Sequence, residues 1–251
     1  MSMMVRDLMR HQGERLFRYR SYVPLLLVPM FFLALRDSEW IEIVFGDFVD
    51  DIYDWMCVLV SLSGVILRVA TVGYVPKRTS GRNTSKGQVA DELNTTGMYS
   101  IVRNPLYLAN VIIMAGVAFA TGSLLFTAVT LLAYCLHYER IICCEEDFLS
   151  GKFGNDYAVW LERTPAFFPR LSQWTPSART FCWRTALKRE YLTGFSVLTV
   201  FTVIDYLEDM VAAGRVEFEG ETTALFISAS LVFLLIRYVR KSTDWLSVAG
   251  R

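Results

Sequence analysis

The strongest constraint on this chain is a pair of apolar stretches, roughly 105–121 and 124–142, broken only at Thr121-Gly122-Ser123. A hydrocarbon core of ~30 Å takes about 20 residues of helix. Within lipid the backbone polar groups must be satisfied inside the segment, so both stretches must be helical. Three turn-forming residues leave no room for a wandering connection, and the second helix returns beside the first. The two flanking segments are thereby forced to the same membrane face. Residues 93–107 read Leu-Asn-Thr-Thr-Gly-Met-Tyr-Ser-Ile-Val-Arg-Asn-Pro-Leu-Tyr, and residues 145–157 read Glu-Glu-Asp-Phe-Leu-Ser-Gly-Lys-Phe-Gly-Asn-Asp-Tyr.

Four more apolar runs lie at roughly 19–35, 55–75, 191–207 and 222–239, in a chain that is 53% hydrophobic with a mean hydropathy of +0.35. An all-α, polytopic integral membrane protein with about six transmembrane helices is expected. The first run is the least regular. Its apolar part extends only from Tyr22 to Leu35 and contains Pro24 and Pro29. It reaches spanning length if Phe17 and Tyr19 are included while Arg18 and Arg20 snorkel.

Charge tests this assignment independently, because cytoplasmic loops are enriched in Lys and Arg. With six spans and an inner N-terminus, 22 of the 25 basic residues fall inside. Only Arg36 and Arg215 fall outside, and Arg68 lies within a span. The expected outer loops are acidic: Asp37, Glu39, Glu42, Asp47, Asp50, Asp51 and Asp54, then Glu208, Asp209, Glu217, Glu219 and Glu221. The formal net charge of zero conceals this sidedness. Both termini are expected on the cytoplasmic side of a bacterial inner membrane, as a multi-pass protein with the bilayer itself as a partner and no nucleic-acid partner. Arg68 is read as either snorkelling from the inner end of its span or lining a polar cavity.

Several chemistries are excluded. The five cysteines form no C-x-x-C pair, and the two histidines have no metal-ligand spacing, so neither a disulfide framework nor a metal site is expected. Neither a phosphate loop nor G-x-G-x-x-G is present. The first apolar run follows about 20 Arg-rich residues and ends in Leu-Arg-Asp, which suits a signal anchor better than a cleavable leader.

The chain is read as a single membrane domain, 1–251, with a motif-bearing portion at 93–170 and a C-terminal helix pair at 191–239. Residues 1–20 form a basic inner-surface segment, and 76–92 a mobile polar loop. Residues 174–190 interleave Phe181, Trp183 and Leu187 with Arg179, Arg184, Lys188 and Arg189, an amphipathic interfacial segment.

Within the motif portion, Gly97 permits a sharp turn or a close backbone approach. Pro105 suits a helical first turn, with Asn104 as its cap. Glu146, Leu149 and Phe153 recur at helical spacing, which sets a carboxylate beside apolar residues. Together the two blocks resemble the isoprenylcysteine carboxyl methyltransferase family and the related phospholipid methyltransferases. The resemblance runs over roughly 93–170. It is carried by Thr96-Gly97-Met98-Tyr99, Arg103-Asn104-Pro105 and Tyr107, by Glu145-Glu146, Leu149, Phe153-Gly154 and Tyr157, and by Arg163, Pro165, Phe167 and Pro169. Asn104 stands where many members carry His, Trp160 replaces a frequent Tyr, and Thr164 replaces Val.

The resemblance implies an S-adenosylmethionine-dependent membrane methyltransferase with a cofactor pocket at the cytosolic ends of its helices. It implies cofactor contacts from Tyr99, Asn104, Pro105, Tyr107, Glu145, Phe153, Gly154 and Tyr157, and catalytic roles for Arg103, Glu146 and Arg163. The acceptor is expected to be a membrane lipid or lipidated substrate. O-methylation of an anionic headgroup held by Arg103, Arg163 or Arg170 is the leading expectation, since an anion needs no base. N-methylation of a phosphatidylethanolamine-type headgroup is the alternative. A nicotinamide-dependent membrane reductase and a non-catalytic scaffold stay open as other classes.

Overall fold

The computed structural model of the chain describes residues 3–19, 22–38, 40–76, 79, 82–84, 87–212, 214 and 220–251. It is built from helices, with a small two-stranded hairpin in the loop before the first motif block. Helix α1 (Met3–Tyr19) comes first. A broken stretch follows: a 3-10 turn (Val23–Leu27), α2 (Val28–Ala34) and a second 3-10 turn (Leu35–Asp37). The expected first span is therefore not one regular helix. Pro24 and Pro29 each remove a backbone donor and restart the helix at their own first turn.

Helix α3 (Trp40–Phe45) stops at Gly46, whose φ of 82° lies in the left-handed region. Helix α4 (Asp47–Val72) begins with Asp47 and Asp50 in its first turn, where carboxylates complement the helix dipole. Strands β1 (Arg82–Thr84) and β2 (Gly87–Val89) pair antiparallel. The expected mobile loop at 76–92 lies partly outside the described residues. Helix α5 (Met98–Ile101) leads to α6 (Pro105–Ala120), which starts on Pro105 as expected. Helix α7 (Leu124–Phe153) follows the turn at Gly122. Its 30 residues rise about 45 Å, well beyond a ~30 Å hydrocarbon core, so the second polar block projects past the apolar zone. Helix α8 (Asn155–Arg163), α9 (Trp183–Ala212) and α10 (Gly220–Ser242) complete the bundle. Among the described residues, three helices are long and apolar enough to cross a membrane: α4, α7 and α10. Residues 25–34 and α6 are shorter apolar helices.

The expected amphipathic interfacial segment at 174–190 takes another form. Residues 174–182 are irregular, and Trp183 begins α9, which runs unbroken into the fifth apolar stretch. Its first turns carry Arg184 against the rings of Trp183 and Trp245.

Small residues let the central helices close up. A Cβ on Gly64 would lie 2.7 Å from the Ala109 carbonyl, and one on Gly116 would collide with the Ser61 side chain. Ser61 itself donates to the Ile113 carbonyl across this seam. On the other side of α6, Phe17 of α1 packs with Tyr134, Tyr138 and Ile141 of α7. The residues after α10 fold back to the motif-bearing end of the bundle. Leu246 is buried there, and Arg251 donates to the carbonyls of Gly73 and Thr180.

Candidate active site

Where α6 and α7 leave the apolar zone, the two motif blocks meet. Asn104 precedes Pro105 and donates to the Ala166 carbonyl. Arg103, one residue earlier, points its guanidinium at three partners. Its Nε donates to Glu146 Oε1 at 2.9 Å, and one Nη donates to the carbonyls of Leu161 and Thr164. A single arginine thus ties the start of α6 to α7 and to the exit of α8. The backbone completes the tie, with Arg103 N–H donating to the Pro165 carbonyl and Arg170 N–H to the Ile101 carbonyl. Gly97, at φ 62°, turns the chain so that its N–H reaches the Thr175 carbonyl.

These contacts enclose a cavity of about 300 Å³, at the lower end of small-molecule sites. Of the residues expected at the site, Tyr99, Arg103, Asn104, Pro105, Tyr107 and Glu145 line it. Tyr107 donates to Glu145 at 2.8 Å. The Tyr99 hydroxyl is pushed well above its usual range, first by burial and then by Glu145, so it stays protonated. Five expected residues lie elsewhere. Glu146 sits behind the lining and acts on it through Arg103. Tyr157 is buried against Trp160, and its hydroxyl has no hydrogen-bond partner among the described residues. Burial, then Glu146, raises the pKa of that hydroxyl. Phe153 and Gly154 form the corner between α7 and α8, and Arg163 is exposed at the end of α8. Arg170, an expected anion holder, is also exposed.

The other wall comes from outside both blocks. Arg68 of α4 faces the cavity and binds Glu190 of α9 in a two-point fork, with Nε to Oε2 at 2.6 Å and Nη2 to Oε1 at 3.0 Å. Its other Nη donates to Asn110 of α6 at 2.6 Å, and Asn110 in turn donates to the Tyr138 hydroxyl. The cavity-lining reading of Arg68 is the one realised. Glu190 and Asn110 were not legible as site residues. The available signal was an isolated carboxylate opening one apolar run, at the same expected depth as an isolated arginine closing another.

The lining offers carboxylates, three amides (Asn94, Asn104, Asn110), guanidinium groups and aromatic faces (Tyr99, Trp160) within one small volume. That donor set fits S-adenosylmethionine, which carries an amino-acid zwitterion, a sulfonium and an adenosine.

A family model described as phospholipid methyltransferase matches residues 55–156. The chain is 35% identical over 153 residues to a cobalt-zinc-cadmium resistance protein, CzcN, of Cupriavidus metallidurans, an alignment covering 57% of this chain and 67% of that protein. It is 40% identical over 117 residues to a nickel-cobalt-cadmium resistance protein, NccN, of Alcaligenes xylosoxydans xylosoxydans, covering 44% of this chain and 53% of that protein. No solved structure gives a significant match.

Proposed function

The chain belongs to the phospholipid methyltransferase family, and we propose that it is a membrane methyltransferase that transfers the methyl group of S-adenosylmethionine to a lipid headgroup. The observation that carries this reading is the cavity where both motif blocks converge, at the end of an apolar hairpin. Bound there, S-adenosylmethionine would supply an electrophilic methyl group on a sulfonium. The protein's task is then to align the acceptor, since proximity and orientation are the main contributions to an in-line displacement. Arg103 holds the two blocks in register. Tyr99, Asn104 and Tyr107 are the residues assigned to the donor, with Tyr157, Phe153 and Gly154 shaping its surroundings from behind. The proposed setting is a bacterial inner membrane with both termini cytoplasmic.

For the acceptor, an amine-bearing phospholipid headgroup suits the geometry best. Arg163 and Arg170 stand off the lining, while Arg103 and Arg68 are engaged by carboxylates. Glu145 and Glu190 both line the cavity. An ammonium must lose a proton before its lone pair can attack, and we assign Glu145 to accept it. O-methylation of an anionic headgroup is the second reading, favoured by Arg189 in the same lining. The relatives named for cobalt, zinc, cadmium and nickel resistance suggest a role in metal tolerance. Methylating a headgroup alters how a membrane surface binds cations, which would connect the two.

The test is incubation of the purified protein with labelled S-adenosylmethionine and native lipid extract, followed by lipid mass spectrometry. Label on ethanolamine nitrogen is expected. Label on phosphate or carboxylate oxygen would select the second reading. Label only in water-soluble material would overturn the lipid acceptor.

A further inference from the structure

Two cavities stand back to back at the motif-bearing end. Beside the first, of about 300 Å³, lies a second of about 150 Å³. Glu92, Leu93, Asn94 and Tyr99 line both, so the short segment 92–94 is a partition between them. The outer wall of the second cavity includes Ser177, Ala178 and Arg179, from the irregular stretch before α9, and residues 178–180 are exposed. The two ends of the partition are held in different ways. Just past its far end the backbone is pinned: Gly97 N–H donates to the Thr175 carbonyl, and Thr175 N–H donates to Ser100 Oγ. Its near end is held by an ion pair, in which one Nη of Arg179 donates to both carboxylate oxygens of Glu92, at 3.0 and 2.9 Å. That pair is 41% exposed at Arg179 and 57% at Glu92, and exposed pairs are individually weak. The stretch that carries Arg179 is itself braced. Arg251 bridges the carbonyls of Gly73 and Thr180, Cys182 N–H donates to the same Gly73 carbonyl, and Trp245 packs edge-on against Trp183. A weak latch therefore joins the partition to a firm post.

We propose that residues 92–94 form a gate, hinged at Thr96-Gly97 and latched by Arg179 on Glu92, through which S-adenosylmethionine enters the larger cavity from water and adenosylhomocysteine leaves. The proposal rests on the methyltransferase reading and adds a route to it. The donor is charged and water-soluble, so it arrives from the aqueous side, and the smaller cavity lies between the exposed stretch and the larger one. A cavity of about 300 Å³ is at the lower end of small-molecule sites, so admitting a nucleoside-bearing donor requires one wall to give way. The walls from α4, α6, α7 and α9 are cross-tied through Arg68 and Arg103. The partition hangs on its exposed latch instead. The latch is made whenever the gate is shut, before and after binding, and is broken only during passage. A contact of equal strength in both end states shifts no equilibrium. It sets the rate of exchange in both directions, as closing loops do in many enzymes.

The full-length protein in nanodiscs is loaded with tritiated adenosylhomocysteine, and release is timed after a chase of unlabelled compound. Association is followed by stopped flow through tryptophan fluorescence, Trp160 being in the lining. Arg179→Ala should raise both rates about three- to fivefold, the scale of an exposed ion pair, and leave Kd within about twofold. Arg179→Lys keeps the charge and should stay nearer to wild type. Raising the ionic strength should speed exchange in wild type, because salt screens the latch, and should leave Arg179→Ala unmoved. Adenosylhomocysteine has no net charge at neutral pH, so its own approach is little affected by salt. Wild-type rates in Arg179→Ala overturn the gate. So does a weakened Kd with unchanged association, which would make Arg179 a ligand contact or a packing residue. If the variant does not fold, wild-type exchange that ignores ionic strength overturns it. Failure of wild type to bind adenosylhomocysteine at all defeats the methyltransferase reading and the gate with it, whereas binding with rates indifferent to the latch removes the gate alone.

Discussion

The two ends of the helical bundle handle charge in opposite ways. At the motif-bearing end, arginines from α4 and from the start of α6 each meet a carboxylate from a distant helix, Arg68 with Glu190 and Arg103 with Glu146. At the other end, a cavity of about 270 Å³ is lined by Asp50, Asp51 and Asp54 of α4 and by Asp205, Glu208 and Asp209 of α9, among other carboxylates. Among the described residues no Lys or Arg lines it, and no described group of His, Cys, Asp and Glu has the makings of a metal site. Opposite charges brought together by the fold impose direction and distance, because a guanidinium fork fits a carboxylate in few orientations. Like charges impose only separation. The first arrangement can hold a ligand in one pose. The second fixes no such pose.

The largest expected effect tests whether the paired end depends on its pairing. Arg68→Ala should destabilise the protein by about 3–5 kcal/mol, because Glu190 is left charged and buried without its partner. Arg68→Met combined with Glu190→Leu should recover most of that stability. Thermal unfolding in detergent compares the two, and a single variant as mild as the double would show that the pair is solvated. Next, Arg103→Ala should lower adenosylhomocysteine affinity or turnover by one to two orders of magnitude, equivalent to about 1.5–3 kcal/mol. Glu146→Ala should fall in the same range because it acts through Arg103. Wild-type turnover in both would remove Arg103 from the site.

A test of the frame that carries both ends is Gly116→Ala. The added methyl meets Ser61 on α4 and should cost about 1–3 kcal/mol by overpacking, visible as a lowered unfolding temperature. The smallest effect is expected at the acidic end. Asp54→Asn relieves like-charge repulsion and should raise stability by under about 1 kcal/mol, less at high salt. A fall in stability would mean that Asp54 has a cationic partner and that the contrast between the ends is weaker than described.

Much of the frame was legible from patterning. The Thr121-Gly122-Ser123 break became the α6–α7 turn with Gly122 at φ 64°, and Pro105 became the start of α6. Helix 4 and the final helix were visible as apolar runs because lipid leaves the backbone no alternative to helix. The first run was harder to read, since hydropathy counts Pro24 and Pro29 as neutral while helical geometry does not. The start of α9 was misjudged for a related reason. The charges over 183–190 separate an interfacial stretch from an apolar one by composition, but the backbone hydrogen bonds continue through both.

The sequence by itself determined the membrane class, the face shared by the two polar blocks and the residue types of the motif half of the site, because these follow from local periodicity, loop length and motif identity. Only the tertiary structure decided which residues face the cavity. Glu146 and Tyr157 share a motif with Glu145 yet stand behind it, since successive helical positions point about 100° apart. Arg68, Asn110 and Glu190 come from three helices, as many as 122 positions apart, and share one wall because α4 and α6 pack closely across Gly64 and Gly116 while α9 packs against both through Ile204. Pairing between residues so distant in the chain has no local signature. It exists only once the helices are in contact.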